Sequence, residues 1–142
     1  MDRELIRPLR WLWLSLTGII TAWLLWMTLR PNPSVAVGLA PLTAPAAARG
    51  ISPRWLIGLA GNVVVFAPLG FTLYLALDGH PLKRRFLSST GGGALLSLFI
   101  ELAQMARPSR VSSLEDWLLN TMGAALGALA AHFVVALWNA SR

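Results

Sequence analysis

Four apolar stretches, each about 20 residues long, constrain the fold of this chain more than any other feature. They span residues 11–29, 55–77, 86–106 and 117–138. A transmembrane α-helix needs roughly 20 predominantly apolar residues, because the hydrocarbon core of a bilayer is roughly 30 Å thick. The chain is also 56% hydrophobic and 13% charged, which leaves too little polar surface for a soluble domain of 142 residues. We therefore predict an all-α polytopic membrane protein, in which residues 1–142 form a single domain with a bundle of four transmembrane helices.

The first stretch follows three arginines and admits a second interpretation, a signal peptide cleaved in the alanine-rich segment after it. Its apolar run is longer than the roughly 7 to 15 residues of a signal peptide's hydrophobic region, and it is rich in tryptophan. We therefore interpret it as an uncleaved helix. Residues 30–54 contain several prolines yet are too apolar for a solvated linker, so we expect this segment to lie along the outer interface or to cap the bundle.

The basic residues predict the orientation of the bundle, because cytoplasmic loops of membrane proteins are enriched in Lys and Arg. With four spans, the N-terminus, the loop over residues 78–85 and the C-terminus lie on one side of the membrane. Seven of the 12 basic residues fall on that side, among them the run Lys83, Arg84 and Arg85, and five fall on the other. We therefore expect both termini in the cytoplasm. The net charge of +6 favours contact with anionic membrane lipid, since no motif for binding nucleic acid is present.

Polar residues inside the apolar stretches indicate a site. Glu101 lies about 8 Å below the end of the third stretch, while Asn62 and Asn120 lie about 10 Å and about 6 Å below the starts of the second and fourth. In the predicted orientation all three reach the outer leaflet at a similar depth. A carboxylate inside the membrane costs at least a few kcal/mol unless it faces the bundle and finds partners. We therefore expect these side chains to converge.

Helical spacing adds residues to this cluster and predicts how the helices pack. Gln104 lies three residues after Glu101 and so on the same helix face. The fourth stretch presents one face with polar residues first and small ones deeper: Asp116, Asn120, Gly123 and Gly127. Its two glycines form a GxxxG pair, which lets a neighbouring backbone approach closely. In the second stretch Gly70 shares a face with Asn62, and Pro68 removes a helical hydrogen bond, so we expect a kink there.

Few residues of the chain are suited to catalysis. The chain has no cysteine and its two histidines are far apart, so we expect no metal and no cofactor, and a packing or hydrogen-bonding role for His132. An intramembrane enzyme is an alternative, with Glu101 as general base and Arg110 as a clamp for an oxyanion or phosphate. No HExxH motif, nucleophile elbow or pair of acids supports it, and we favour a protein without catalytic activity. A third interpretation is an assembly subunit whose polar cluster serves only helix packing.

Four short segments resemble the VanZ-like family of small integral membrane proteins: NVVVFAPLG (62–70), IELAQ (100–104), PSR (108–110) and EDWLLNTMGAALG (115–127). They carry, in order, the family's Asn, Phe-x-Pro-x-Gly, Glu-x-x-Gln, Arg, Asp and Asn-x-x-Gly. The resemblance covers the second to fourth stretches, about half of the chain. Family members often have another acid between the Arg and the Asp, where this chain has Ser112 and Ser113.

The resemblance implies a role in the bacterial cell envelope, because the name-giving member is associated with resistance to the glycopeptide teicoplanin. It implies a multi-pass protein of the bacterial cytoplasmic membrane. By position it also implies a functional cluster that matches the residues already singled out: Asn62, Glu101, Gln104, Arg110, Asp116 and Asn120. With Arg110 at its mouth, such a cluster suits an anionic amphiphile, either a lipid-linked cell-wall precursor or a lipoglycopeptide. Arg110 has an alternative role as a snorkelling residue that reaches headgroup phosphates.

Overall fold

The computed structural model describes residues 3–29, 60–105 and 113–141, and these residues are almost entirely helical. Helix α1 spans Arg3–Thr28, and a π-helical turn over Ala60–Val64 continues directly into α2, Val65–Ala76. Helix α3 spans Leu82–Met105 and α4 spans Leu114–Ala140. The described residues contain no strand. The predicted all-α membrane bundle is confirmed.

Three of the four predicted spans are present as helices long and apolar enough to cross a membrane. These are Leu9–Thr28, Leu82–Met105 and Leu114–Ala140. The described part of the second span, Gly61–Ala76, is shorter, and its predicted beginning at residue 55 lies outside the described residues. The helices extend past the predicted stretches because charged residues with good helix propensity continue them beyond the apolar segment. Helix α1 therefore begins at Arg3 and α3 begins at Leu82.

Helix α2 lies at the centre of the bundle, in contact with the three other helices. Phe66 and Leu69 of α2 form a buried apolar cluster with Leu24 of α1 and Ile100 of α3. Threonines add a polar contact, since the Thr17 hydroxyl donates to the Thr72 hydroxyl at 3.1 Å. Large apolar side chains cover the outside instead, with Trp11, Leu95 and Leu137 each about 70% exposed. Such a surface is unfavourable in water and suits the hydrocarbon of a membrane.

Glycines and small residues bring the backbones of α2 and α4 into direct contact. A Cβ atom placed on Gly70 would overlap the carbonyl group of Ala124, and one placed on Gly127 would overlap the carbonyl group of Ala67. A Cβ atom placed on Gly123 would likewise overlap the carbonyl group of Val63. Gly70 and Gly127 therefore lie where α2 and α4 touch, and Gly123 lies where α4 touches the π-helical turn, at positions where glycine leaves the necessary space.

The kink expected at Pro68 stays a prediction, and a π-helical turn ends four residues before this proline. Pro68 lies inside α2, and because it has no N–H group it cannot complete the regular α-helical bond to the carbonyl of Val64. The π-helical turn ends at Val64. This turn carries Asn62, so the irregular backbone and the polar cluster occur at the same end of the helix.

The orientation of the bundle remains a prediction that cysteine labelling tests. The chain contains no cysteine, so single cysteines report their position without interference. With both termini in the cytoplasm, Thr43→Cys and Ser112→Cys should react with a membrane-impermeant thiol reagent added to intact cells. A probe in the loop between α2 and α3 should not react. Gly79 has a positive φ of 86°, which strains a cysteine, so His80→Cys is the better probe there. Labelling of His80→Cys alone would reverse the predicted orientation.

Candidate functional site

The beginning of α4 and the π-helical turn before α2 meet through an amide and a carboxylate. The Asn62 side chain donates from Nδ2 to Oδ1 of Asp116 at 2.6 Å. Asp116 lies in the first turn of α4, where the positive end of the helix dipole favours an acid. Ser113 is the N-cap residue, and its hydroxyl accepts a hydrogen bond from the backbone N–H of Asp116 at 3.4 Å. The sequence Ser-x-x-Asp therefore both starts the helix and orients the acid.

Glu101 faces the inside of the bundle, as predicted. Its side chain is only 6% exposed, and its Oε2 accepts a hydrogen bond from the backbone N–H of Ser113 at 3.0 Å. Helix α3 thus holds the beginning of α4 through a carboxylate. Within the described ranges the structure contains one ion pair, between Arg85 and Asp78. No described cation therefore neutralises Glu101. This residue lies in an apolar helix, and its donor is the uncharged backbone N–H of Ser113.

Asn120 lies one helical turn below Asp116 and is 4% exposed. Its Nδ2 donates to the Ser97 hydroxyl of α3 at 2.8 Å. Its Oδ1 is buried and has no hydrogen-bond partner among the described residues. An unpaired buried acceptor costs about 1 to 3 kcal/mol, so a donor that bonds to this oxygen would remove that cost.

Gln104 contacts α1, a helix that carries none of the other residues of the predicted cluster. Its Nε2 donates to the carbonyl oxygen of Thr28, the last residue of α1, at 3.0 Å. The last carbonyl groups of a helix lack partners within the helix, and Gln104 satisfies one of them. The structure therefore shows Gln104 tying α3 to α1, while Glu101 ties α3 to α4.

The structure brings the predicted residues to one end of the bundle in separate pairs. Asn62 bonds to Asp116, Glu101 bonds to the start of α4, and Asn120 bonds to α3. The side chain of Glu101 makes no hydrogen bond to these three side chains, all of which the structure describes. Arg110 lies outside the described residues.

A second polar cluster, which the sequence analysis did not identify, lies where α2 and α3 meet. Arg85 is 8% exposed and forms an ion pair with Asp78, with 3.0 Å between Nη1 and Oδ1. Its Nε donates to the Tyr74 carbonyl oxygen at 3.3 Å, and the guanidinium carbon lies 4.1 Å from the centroid of the Tyr74 ring. The Tyr74 hydroxyl is 2.9 Å from Nδ1 of His132 on α4. The hydrogen bond to Tyr74 agrees with the role expected of His132.

One feature of the sequence points to this second cluster. Tyr74 is the single tyrosine of the chain, and a buried tyrosine hydroxyl usually finds a partner. Lys83, Arg84 and Arg85 form one basic run in the sequence, but the structure separates them, because Arg85 is buried while Lys83 and Arg84 are exposed. The described residues contain no group of three or more His, Asp or Glu side chains that could hold a metal ion.

The fold and these polar pairs define a small all-α membrane protein with buried polar contacts at the ends of its helices. The chain belongs to the VanZ-like family, since the family model described as VanZ/LLP1 matches residues 14–136. The match extends beyond the four segments that carry the resemblance and includes most of α1 and the segment after it. No curated protein and no solved structure matches the chain.

Proposed function

We propose that this VanZ-like envelope protein binds the headgroup of an anionic envelope amphiphile at Asn62, Glu101, Asp116 and Asn120, with Arg110 as the cationic residue. The observation that carries the proposal is the burial of Glu101. A carboxylate inside a membrane protein is costly unless it has partners, and a neutral residue would have served packing more cheaply. Among the described residues Glu101 has one neutral donor, the backbone N–H of Ser113.

The balance of donors and acceptors indicates the chemistry of the ligand. Two carboxylates and the unpaired Oδ1 of Asn120 offer more acceptor positions than the described donors fill. A ligand rich in hydroxyl and amide groups supplies the missing donors. A lipid-linked cell-wall precursor and a lipoglycopeptide both have such groups beside an apolar chain. Binding of this kind is the route by which we propose that the protein contributes to resistance to teicoplanin-type glycopeptides.

Arg110 supplies the positive charge in this proposal. Arg110 precedes Ser113 by three residues, so their Cα atoms are at most about 11 Å apart. The N–H group of Ser113 is bonded to Glu101, and covalent connectivity therefore keeps Arg110 near the site. A guanidinium binds phosphate and carboxylate groups in a two-pronged geometry that an ammonium does not reproduce.

A non-catalytic assembly subunit is the second candidate, favoured by a specific observation. Glu101, Gln104 and Asn120 each bond to a neighbouring helix, and these contacts fix the bundle without any ligand. The ligand-binding candidate requires the negative charge of Glu101 for function, whereas the assembly-subunit candidate requires only its hydrogen bond.

The substitution Glu101→Gln separates the two candidates. The amide oxygen of glutamine still accepts the hydrogen bond from Ser113, so the variant should insert and fold, with a stability within about 1 kcal/mol of wild type. Loss of the charge should weaken ligand binding by roughly tenfold or more, because a charge-assisted hydrogen bond contributes about 1.5 to 3 kcal/mol. Teicoplanin susceptibility at matched expression, together with binding of a purified lipid-linked precursor, measures the effect.

Glu115→Gln is the matched control, because Glu115 is an exposed acid beside the site and the chemical change is the same. It should behave as wild type. Arg110→Lys and Asp116→Asn should lose the phenotype as Glu101→Gln does, whereas an arginine that only snorkels to headgroups would tolerate lysine. Wild-type behaviour of all three site variants would show that the site is wrong and leave the packing role.

A further inference from the structure

We infer that the beginning of α3 is a binding site for an anionic phospholipid, separate from the cluster at the other end of this helix. Pro81, Lys83, Arg84, Leu87 and Ser88 line a shallow groove of about 450 Å³ there. The surface of the groove is almost entirely apolar, and two of the residues that line it, Lys83 and Arg84, carry a cationic end group. This combination matches a phosphate group attached to an acyl chain.

The ion pair within the second polar cluster leaves these two cations without a counter-charge. Asp78 is the acid nearest in sequence to the groove, and its carboxylate is bonded to Arg85. Lys83 and Arg84 are exposed, and neither forms an ion pair with a carboxylate in the part of the chain that the structure describes. The two basic residues beside the groove therefore keep their positive charges available for an anion. Basic residues at a membrane surface attract anionic lipid in proportion to their number.

The face of α3 beyond the groove has the length and shape that an acyl chain requires. Leu87, Gly91 and Leu95 follow one another at four-residue steps on one side of the helix. Leu87 and Leu95 are 57% and 69% exposed, and a Cβ atom on Gly91 would meet nothing within 4 Å, so the surface between the two leucines is open. Arg84 and Leu95 are separated by about 16 Å along the helix, which is about half the hydrocarbon core of a bilayer. One lipid of one leaflet fits this span.

Native mass spectrometry of the full-length protein, released from detergent with defined lipids, tests the site. The wild-type protein should retain phosphatidylglycerol in preference to phosphatidylcholine, which has the same chains but no net charge. The double variant Lys83→Gln/Arg84→Gln should lose roughly tenfold or more of its phosphatidylglycerol affinity, because two basic contacts to the phosphate are removed. Both side chains are exposed, so the fold should be unaffected, and an unchanged thermal transition checks this.

The double variant Arg7→Gln/Arg10→Gln is the matched control, since it removes the same charge from α1 and should cause a much smaller loss. Equal losses in the two double variants would mean that net charge alone attracts the lipid, and would overturn the site. Equal retention of phosphatidylcholine by the wild-type protein, or displacement of phosphatidylglycerol by inorganic phosphate, would overturn it as well. The site does not depend on Glu101, so Glu101→Gln should bind phosphatidylglycerol as the wild-type protein does.

Discussion

The substitution Gly127→Val is expected to prevent α2 and α4 from packing together. A Cβ atom at residue 127 would overlap the carbonyl group of Ala67, which belongs to the backbone and cannot move aside by changing a rotamer. Overpacking in a well-packed core typically costs about 1 to 3 kcal/mol, and a backbone contact leaves less room for relaxation, so we expect a loss of about 3 kcal/mol or more. Titration of the purified protein from mild detergent into a denaturing detergent measures this loss.

Gly91→Ala is the control for Gly127→Val, because both glycines lie in the middle of long helices. Nothing lies within 4 Å of a Cβ atom at residue 91. Alanine is the better helix former by up to about 1 kcal/mol, so this variant should be as stable as the wild-type protein or slightly more stable. Gly70→Ala should resemble Gly127→Val, since its Cβ atom would overlap the carbonyl group of Ala124. An unfolding curve of Gly127→Val that superimposes on that of Gly91→Ala would contradict the packing of α2 on α4.

The second large effect is expected for Asp78→Asn, which removes the carboxylate that Arg85 contacts at 3.0 Å. Breaking a buried ion pair costs about 3 to 5 kcal/mol, because the remaining charge is left without compensation. Asp78 is partly exposed, and Arg85 keeps its contact with the Tyr74 ring, so we expect about 2 to 3 kcal/mol. The same detergent titration measures the change.

A double variant tests the cause of that loss. The variant Asp78→Asn/Arg85→Met carries no buried charge at this position, and it should recover most of the stability that Asp78→Asn alone loses. Arg84→Met is the matched control, since Arg84 is exposed and should change stability by less than about 0.5 kcal/mol. If the double variant is less stable than Asp78→Asn, the ion pair does not account for the loss.

The length and apolar character of the four stretches were sufficient to predict the helices and the class of protein. The cost of a carboxylate in a membrane was sufficient to predict that Glu101 faces inward. Its partner was not predictable, since that partner is a backbone N–H group, which every residue except proline has. The same limit applies to Gln104, whose acceptor is a backbone carbonyl 76 residues away on α1.

The second polar cluster shows why hydropathy alone misses some sites. Tyr74 and His132 are 58 residues apart, and only the packing of α2 on α4 brings their side chains together. Arg85 follows two basic residues in sequence, and a count of charges treats the three alike. Their different surroundings depend on how α3 is rotated about its axis, because successive residues of a helix point about 100° apart.

The π-helical turn at Ala60–Val64 leads directly into α2 and has the effect of one extra residue in that turn. It sets the angle between the amide of Asn62, which bonds to Asp116, and Gly70, which packs against α4. Removal or insertion of a single residue between these two would turn Asn62 by about 100° relative to Gly70, away from Asp116, while the hydropathy of every helix stayed the same. The number of residues between Asn62 and Gly70 is therefore constrained as strictly as their identities.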